Sequence, residues 1–406
     1  MQKNINFYPW YQACRSLLFW QGIWFLYLQK ELSAGEAILL IAIFDVASAS
    51  LEVPSGYFSD RFGRRLTLII GLVAMMCGCL AIGLGASFVL MALGQVLLGV
   101  GIAFNSGTDN ALLYDSLLGA GQQDDVAKHE VRAWRFNFSA LAISAFVGGF
   151  IALHSMAATF LLTSCAAVLG LFIAWQFEEP ETGARQSTLS KAERFAVLGG
   201  YLRQPLLAWL FYLAVAMYVF SHVPFVFGQP FIDHVMQRSG IGDYTTAVSG
   251  SITSAMMLVS VAAGWLALPL GARLGVAGIL LLAFGIQIGL IAVLMASVHP
   301  VAMMFLLLRM VPNAFAQPFI LAKIQPRIDS ANRATYLSLQ SLCGRFGLGV
   351  TLFIGAGVVD GSQSLSHETL QWLLAIYVFI GLGIWMTLWF TSRRISDDEA
   401  SSQLST

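Results

Sequence analysis

The sequence predicts an all-α integral membrane protein with twelve transmembrane helices arranged as two halves of six. Three observations predict this fold class. The chain of 406 residues is 57% hydrophobic and only 11% charged, its mean hydropathy is +0.74, and its apolar residues fall in long stretches. A membrane-spanning helix needs about 20 apolar residues, because hydrocarbon offers the backbone no hydrogen-bonding partner. This composition excludes a soluble enzyme.

The predicted spans are separated by short polar segments. They cover residues 8–29, 36–58, 66–86, 88–117, 131–153, 157–177, 205–228, 244–270, 276–297, 300–321, 333–358 and 368–391. The first span contains Arg15 and lacks a basic leader and a small-residue cleavage site. We therefore expect a retained helix rather than a signal peptide.

Lysine and arginine are distributed unevenly between the two sides of the predicted membrane. An even number of spans places both termini on one side, and the side rich in these residues is cytoplasmic. Sixteen of the 22 basic residues fall on the side of the termini, and only Lys30 and Arg238 fall on the other. The remaining four lie inside predicted spans and are Arg15, Arg135, Arg309 and Arg345. We expect both termini in the cytoplasm.

The longest polar interruption divides the chain into two halves. We predict an N-terminal six-helix half at 1–177, a cytoplasmic linker at 178–204, a C-terminal six-helix half at 205–392 and a cytoplasmic tail at 393–406. Duplicated halves around a site at the middle of the membrane are typical of transporters that work by alternating access.

Several partners are not expected. The formal net charge is zero, which argues against binding of nucleic acid. The sequence has no phosphate-binding loop of the kind that binds ATP. No metal-ligand spacing or nucleophile motif indicates a metal, a cofactor or an enzyme. The five cysteines lie in apolar stretches and are interpreted as small buried side chains: Cys14, Cys77, Cys79, Cys165 and Cys343.

The segment between predicted spans 2 and 3 carries the most specific motif. Residues 56–65 read GYFSDRFGRR and fit G-x-x-x-D-R-x-G-R-[RK] at every defined position. At this loop of a twelve-span chain, the motif resembles the major facilitator superfamily, and the resemblance covers essentially the whole chain. It implies two six-helix halves, each of 3+3 inverted repeats, that transport a small molecule. Residues 264–275, GWLALPLGARLG, are a degraded echo in the second half.

The motif residues have physical roles that agree with a gate on the cytoplasmic side. Gly56 would let spans 2 and 11 approach closely, and Gly63 would allow a tight turn. Asp60 would cap span 3 or pair across the halves, while Arg64 and Arg65 reach Asp115 at the end of span 4. The alternative is that these arginines only anchor the topology. The predicted gate comprises Gly56, Asp60, Arg61, Gly63, Arg64, Arg65 and Asp115.

The branch of the superfamily is indicated by weaker signals. Residues 52–56 and 106–115 resemble bacterial macrolide and multidrug exporters. Gln95 replaces the arginine of the span-4 motif, and Gly148 and Gly149 lack the proline of the span-5 motif, which argues against the best-known drug exporters. The resemblance implies a monomer in a bacterial inner membrane.

Buried charges are the candidates for coupling or substrate binding, because an ionisable group in hydrocarbon costs about 2.5 kcal/mol or more. Asp45 lies near the middle of span 2 and is the first choice for a proton-coupling carboxylate, the alternative being a permanent pair with a buried cation. Glu52 is expected to pair with Arg15, and Asp109 either pairs with Arg135 or meets protons or a cationic substrate.

The second half presents cations instead. Arg309 and Arg345 lie within spans 10 and 11, and no acidic residue is expected inside the spans of this half away from their ends. They pair with carboxylates such as Asp45, or they bind an anionic substrate. His222 would titrate near neutrality or pack as a neutral ring.

The sequence therefore predicts a proton-coupled secondary transporter that exports an amphipathic or cationic small molecule. An organic-anion carrier using Arg309 and Arg345 is the alternative within transport. A non-transporting membrane sensor or a membrane enzyme is the alternative from another class.

Overall fold

The computed structural model describes residues 1–85, 87–122, 125–180, 199–324, 327–328, 330–359 and 366–403. Regular structure in these ranges is helical, as predicted. Residues 181–198, which form most of the predicted linker and carry Arg185, Lys191 and Arg194, lie outside the described residues.

Fourteen α-helices are described in these ranges. They are α1 Gln2–Arg15, α2 Trp24–Glu31, α3 Ala34–Phe62, α4 Arg64–Leu84, α5 Phe88–Asn105, α6 Thr108–Gly119, α7 Val126–Ile151, α8 Met156–Trp175, α9 Pro205–Arg238, α10 Thr245–Ala296, α11 Pro300–Met304, α12 Val311–Ile324, α13 Ser330–Val359 and α14 His367–Gln403. Short 3₁₀ helices at Gly242–Tyr244 and Phe305–Leu308 precede α10 and follow α11.

Within the described residues, ten helical segments are long and apolar enough to cross a membrane. Large apolar side chains stand exposed on them, among them Trp265 at 80% and Val89 at 77%. In a bilayer these exposed side chains meet lipid, where they are stable. The protein is a multi-pass membrane protein, and the ten segments include every predicted span except the first.

The longest helix accounts for two predicted spans. At 1.5 Å per residue, the 52 residues of α10 would measure about 78 Å, more than twice the ~30 Å core of a bilayer. Gly275 has φ +71° and interrupts the helical backbone at the end of the echo segment. Gly63, with φ +102°, separates α3 from α4 in the same way. Only glycine adopts these conformations readily.

Three of the predicted spans are interrupted within the described residues. Span 1 consists of α1 and α2 with a non-helical connection at 16–23, and span 4 consists of α5 and α6 on either side of Ser106 and Gly107. Span 10 passes from α11 through a 3₁₀ helix to α12. Gly107 has φ +75° and ends one helix before the next begins. In the first break, the Phe19 N–H donates to the Thr163 hydroxyl at 3.0 Å.

The chain forms two compact units. Unit 1 comprises Met1–Arg185, Met236–Ala255 and Gly349–Leu365. Its core joins α1, α4, α6 and the end of α8 through buried side chains that include Tyr11, Leu72 and Phe177. Each predicted domain is one continuous stretch of chain, whereas unit 1 comprises three separate ranges. The predicted domain boundaries therefore remain a prediction.

Unit 2 comprises Gln186–Val235, Met256–Leu348 and Ser366–Thr406. Polar side chains fasten its helices to one another: Trp209 on α9 donates to the Leu388 carbonyl on α14 at 3.0 Å, and Tyr336 on α13 donates to the Leu207 carbonyl on α9 at 2.7 Å. Each bond satisfies a buried donor that hydrocarbon would leave without a partner.

The structure also corrects two smaller expectations. Of the cysteines, Cys79 is buried, but Cys165 is exposed on α8 and the other three are partly buried. The helix of predicted span 7 continues to Arg238, so Asp233 lies within a helix of the second half.

Candidate functional site

A buried ion pair joins the broken ends of two spans in unit 1. Arg15 is the last residue of α1, and Asp109 lies in the first turn of α6. Arg15 Nη1 lies 3.0 Å from Asp109 Oδ2, and the two side chains are 22% and 7% exposed. A cation at a helix C-terminus and an anion at a helix N-terminus are both stabilised by the helix dipoles. The breaks therefore create the favourable positions for this pair.

Neighbouring amides and hydroxyls hold the pair in place. Gln12 Nε2 donates to Asp109 Oδ2 at 2.9 Å and to the Tyr8 hydroxyl at 2.7 Å. Gln12 Oε1 accepts a hydrogen bond from Arg15 at 2.7 Å, and the Tyr8 hydroxyl donates to Asn110 Oδ1 at 3.0 Å. We call Tyr8, Gln12, Arg15, Asp109 and Asn110 the broken-helix network.

This pairing differs from the sequence prediction. Asp109 contacts Arg15 rather than Arg135, which is exposed on α7. Arg15 was expected to pair with Glu52, and the carboxylate that contacts its guanidinium is that of Asp109. Depth along a straight helix predicted the partners poorly, because Arg15 ends α1 and Asp109 lies at the start of α6, each beside a break in its span.

The sequence analysis did not identify Tyr8 and Gln12, although a signal was present. Asn4, Tyr8, Gln12 and Arg15 recur at intervals of four, four and three residues, which places them on one face of a helix. A polar face in an otherwise apolar segment indicates that it meets other protein rather than lipid.

Asp45 lies inside α3 and is buried, with 2% exposure. The start of α3 is set by Ser33 and Glu36, which cap the helix reciprocally: the Ser33 hydroxyl accepts the Glu36 N–H, and Glu36 Oε2 accepts the Ser33 N–H at 2.9 Å. Asp45 is eleven residues beyond the first residue of α3, or roughly 17 Å along its axis. Glu52, on the same helix, is partly buried.

The motif residues form a charged cluster where α3 meets α4. Arg64 Nη1 lies 2.6 Å from Asp60 Oδ1, and Arg64 Nε lies 3.5 Å from Asp115 Oδ2 at the end of α6. The Arg64–Asp115 pair is the one that the motif predicted. Asp60, near the end of α3, thus pairs with a residue four positions further along the chain, and its side chain is 69% exposed. Arg61 is exposed, with its guanidinium 5.4 Å from the centre of the Phe62 ring.

The motif residue Gly56 has more space than expected. Among the described residues of unit 1, a Cβ placed on Gly56 would meet no atom within 4 Å. The close approach to span 11 therefore remains a prediction.

A residue outside the motif completes this cluster. Glu179 Oε1 accepts the Arg64 N–H at 2.5 Å, and Glu179 Oε2 accepts the Arg65 N–H at 2.9 Å. No sequence pattern linked Glu179 to the motif, because 114 residues separate it from Arg65. We call Asp60, Arg64, Arg65, Asp115 and Glu179 the loop cluster.

In unit 2, Arg309 lies where predicted span 10 is broken. It follows the 3₁₀ helix Phe305–Leu308 and precedes α12. Its guanidinium carbon lies 4.9 Å from the centre of the Phe225 ring, and its Nε lies 3.0 Å from the sulfur of Met256. Within the described residues of unit 2, no carboxylate contacts Arg309. Its positive charge is therefore held by an aromatic face and a thioether.

Arg345 and His222 lie close to Tyr218. The Arg345 guanidinium carbon is 5.7 Å from the centre of the Tyr218 ring, and the rings of Tyr218 and His222 are 4.2 Å apart. His222 Nδ1 lies 2.7 Å from the Tyr218 carbonyl oxygen. The His222 ring therefore packs against Tyr218, and the role of His222 stays a prediction.

Comparison with known proteins places the whole arrangement in a family. The structure is similar to that of the nucleoside transporter NupG, with 12% identity, a TM-score of 0.76 and coverage of 96% of this chain and 98% of that one. It is similar to the peptide transporter POT in complex with sulfate, with 14% identity, a TM-score of 0.73 and coverage of 97% and 95%. For a D-xylose–proton symporter the values are 15%, 0.66, 94% and 96%.

These identities establish a shared fold only. No curated protein sequence matches the chain. The family model described as Major Facilitator Superfamily matches residues 14–352, which is most of the chain. The match to this transporter family indicates a transporter rather than an enzyme. The chain therefore belongs to the Major Facilitator Superfamily and is a secondary transporter.

Proposed function

We propose that this transporter is coupled to protons and exports an amphipathic or cationic small molecule. We infer twelve spans, counting α1 with α2 as one and α10 as two, with both termini in the cytoplasm of a bacterial inner membrane. The proposed protein acts as a monomer and uses no ATP.

The observation that carries this proposal is the burial of two carboxylates in the spans of unit 1. Asp45 is 2% exposed and Asp109 is 5% exposed. A buried carboxylate gains or loses its charge at a large energetic cost, so its protonation favours one conformation over another. Asp45 lies well inside α3, eleven residues beyond its first residue, and is our first candidate for carrying the proton.

The loop cluster supports alternating access as the mechanism. Arg64, the first residue of α4, contacts Asp115 near the end of α6. The ion pair therefore links the α3–α4 junction to a helix later in the chain. We propose that these ion pairs form when the cytoplasmic side is closed and separate when it opens. Asp60 is 69% exposed, and an exposed ion pair is weak enough to break during each cycle, whereas Arg64 and Asp115 are only 16% and 23% exposed.

Substitution of Asp45 by asparagine tests the coupling. Asparagine keeps the size of the side chain but cannot exchange a proton, so we expect uptake of ethidium into inside-out proteoliposomes to lose its dependence on an imposed pH gradient. The matched control is Asp125→Asn, because Asp125 is half exposed and its ion pair is with Lys128, three residues away. The control should retain native uptake.

The outcomes separate the possible carriers of the proton. Gradient-driven uptake by Asp45→Asn at the native rate would exclude Asp45 as the coupling residue, and Asp109→Asn becomes the next variant. Absence of ethidium uptake in the native protein would exclude the cationic substrate class.

A second candidate is transport of an organic anion, and the surroundings of Arg309 favour it. A partly buried guanidinium that touches an aromatic ring and a thioether has hydrogen-bond donors for a carboxylate or phosphate. Its position at the break of a span is typical of a binding site, since irregular backbone at membrane depth is found where it lines a cavity or is enclosed by protein. Arg345 would be the second cation.

Substitution of Arg309 by glutamine tests this candidate. A charged hydrogen bond contributes about 1.5–3 kcal/mol, so we expect the KM for a transported amphipathic anion, such as fluorescein, to rise about 10- to 100-fold. Arg327→Gln is the control, because Arg327 is an exposed arginine of unit 2. An unchanged KM in Arg309→Gln would show that Arg309 has a structural role.

A further inference from the structure

We propose that Glu179, the fourth residue after the end of α8 at Trp175, is a positioning residue of the α3–α4 junction. It caps α4 and thereby directs Arg64 towards Asp115 and Asp60. This inference does not depend on the identity of the substrate.

The first step of the argument is that α4 begins without a cap of its own. The residue before it is Gly63, and no side chain of the loop accepts from its first N–H groups. A helix leaves four N–H groups without partners at its start. The two oxygens of Glu179 accept two of them, at 2.5 and 2.9 Å from the nitrogens of Arg64 and Arg65. A carboxylate is also the charge that a helix N-terminus favours.

The second step is that Gly63 leaves room for this carboxylate. A Cβ on Gly63 would lie 2.7 Å from the carboxyl carbon of Glu179. Any larger residue would displace the carboxylate from the helix start. Gly63 therefore provides both the positive φ of the turn and the space for Glu179.

The third step is that the segment carrying Glu179 is fastened on both sides. Arg65 Nη2 donates to the Trp175 carbonyl at 2.6 Å, and its guanidinium lies over the Trp175 ring at 5.7 Å. The adjacent Glu178 exchanges two backbone hydrogen bonds with the Asn4 side chain, each at 2.8 Å. Glu179 is thus held at a defined place between α1 and α4, where it sets the first turn of α4.

The consequence concerns Arg64, whose backbone N–H is bound by Glu179 while its side chain contacts Asp60 and Asp115. Because the same residue receives the cap and makes the ion pairs, loss of the cap would move the guanidinium away from Asp115. Glu179 thereby connects the start of the linker to the charged motif.

Hydrogen exchange measured by mass spectrometry on the full-length protein in nanodiscs tests the proposal. In Glu179→Gln, exchange of the amides in residues 64–68 is expected to accelerate about 5- to 30-fold, which is the effect of losing a helix cap. The matched control is Glu178→Gln, because the Glu178 carboxylate contacts the Met1 amino group rather than α4. The control should leave exchange in residues 64–68 unchanged, and Glu179→Asp should restore part of the protection.

A double-mutant cycle with Asp115→Asn separates positioning from capping. If Glu179 acts through Arg64, its substitution has a smaller effect on exchange in the Asp115→Asn background than in the native protein. Additive effects would restrict Glu179 to capping α4 and overturn the positioning role. Equal exchange in Glu179→Gln and the native protein would overturn both. Neither readout requires transport, so failure of the proposed function would not affect the result.

Discussion

Replacing Asp109 by asparagine is expected to lower the free energy of unfolding by about 3 kcal/mol, at the lower end of the range for a broken buried ion pair. The loss arises because Arg15 would keep its charge with one hydrogen bond to Gln12 and without a carboxylate. Arg15 is 22% exposed, and this access to water is the reason for choosing the lower end. Unfolding in mixed micelles of SDS and a mild detergent measures the change.

Two further variants make this result specific. Asp125→Asn removes the same charge from the exposed pair with Lys128 and should cost less than about 1 kcal/mol. The double variant Arg15→Met with Asp109→Leu removes both buried charges and should be more stable than Asp109→Asn. A double variant that is less stable than the single one would show that the whole broken-helix network, rather than the unpaired charge, determines the stability.

Replacing Gly250 by alanine is expected to be as damaging, for a steric reason. Gly250 lies near the start of α10, where a Cβ would be 2.5 Å from the Ala145 carbonyl oxygen and 2.8 Å from the Gly149 Cα on α7. Gly22, in the break of span 1, approaches the same position: a Cβ on Gly22 would lie 2.7 Å from the Gly250 Cα. These are backbone atoms, which cannot rotate away.

We therefore expect Gly250→Ala to cost about 3 kcal/mol and to lower the yield of folded protein. The control is Gly264→Ala on the same helix, where a Cβ would meet nothing within 4 Å in the described part of the chain. Because alanine favours a helix over glycine by about 1 kcal/mol, this control should be neutral or slightly stabilising. Thermal unfolding followed by tryptophan fluorescence gives both values, and similar midpoints for the two variants would contradict the packing argument.

The approach of Gly22, Gly149 and Gly250 also explains part of the span-1 break. The Ser249 hydroxyl donates to the Gly22 carbonyl, and the Phe19 N–H donates to Thr163. Side chains from α10 and α8 thus satisfy backbone groups that a continuous helix would satisfy itself. A break at membrane depth is stable only when protein encloses it in this way.

The local properties of the sequence predicted the spans well. A long apolar segment forms a helix in a membrane regardless of its neighbours, because its backbone N–H and C=O groups must hydrogen-bond within the segment. Gly63 was predicted to allow a tight turn, and it lies at positive φ between α3 and α4. The Arg64–Asp115 pair was predicted because Arg64 belongs to a short, recognisable motif.

The tertiary structure decided the partners of the buried charges and the breaks in the spans. Arg15 pairs with Asp109 because α1 and α6 end and begin at these residues, and no periodicity in an apolar segment indicates such an end. Glu179 reaches α4 because the chain that follows α8 lies beside the start of α4. The sequence by itself thus identified apolar segments that, except for the first, lie in helices long enough to cross a membrane, and it identified the family. Contacts between distant segments, which depend on packing rather than on local composition, determined where the helices break and which charges meet.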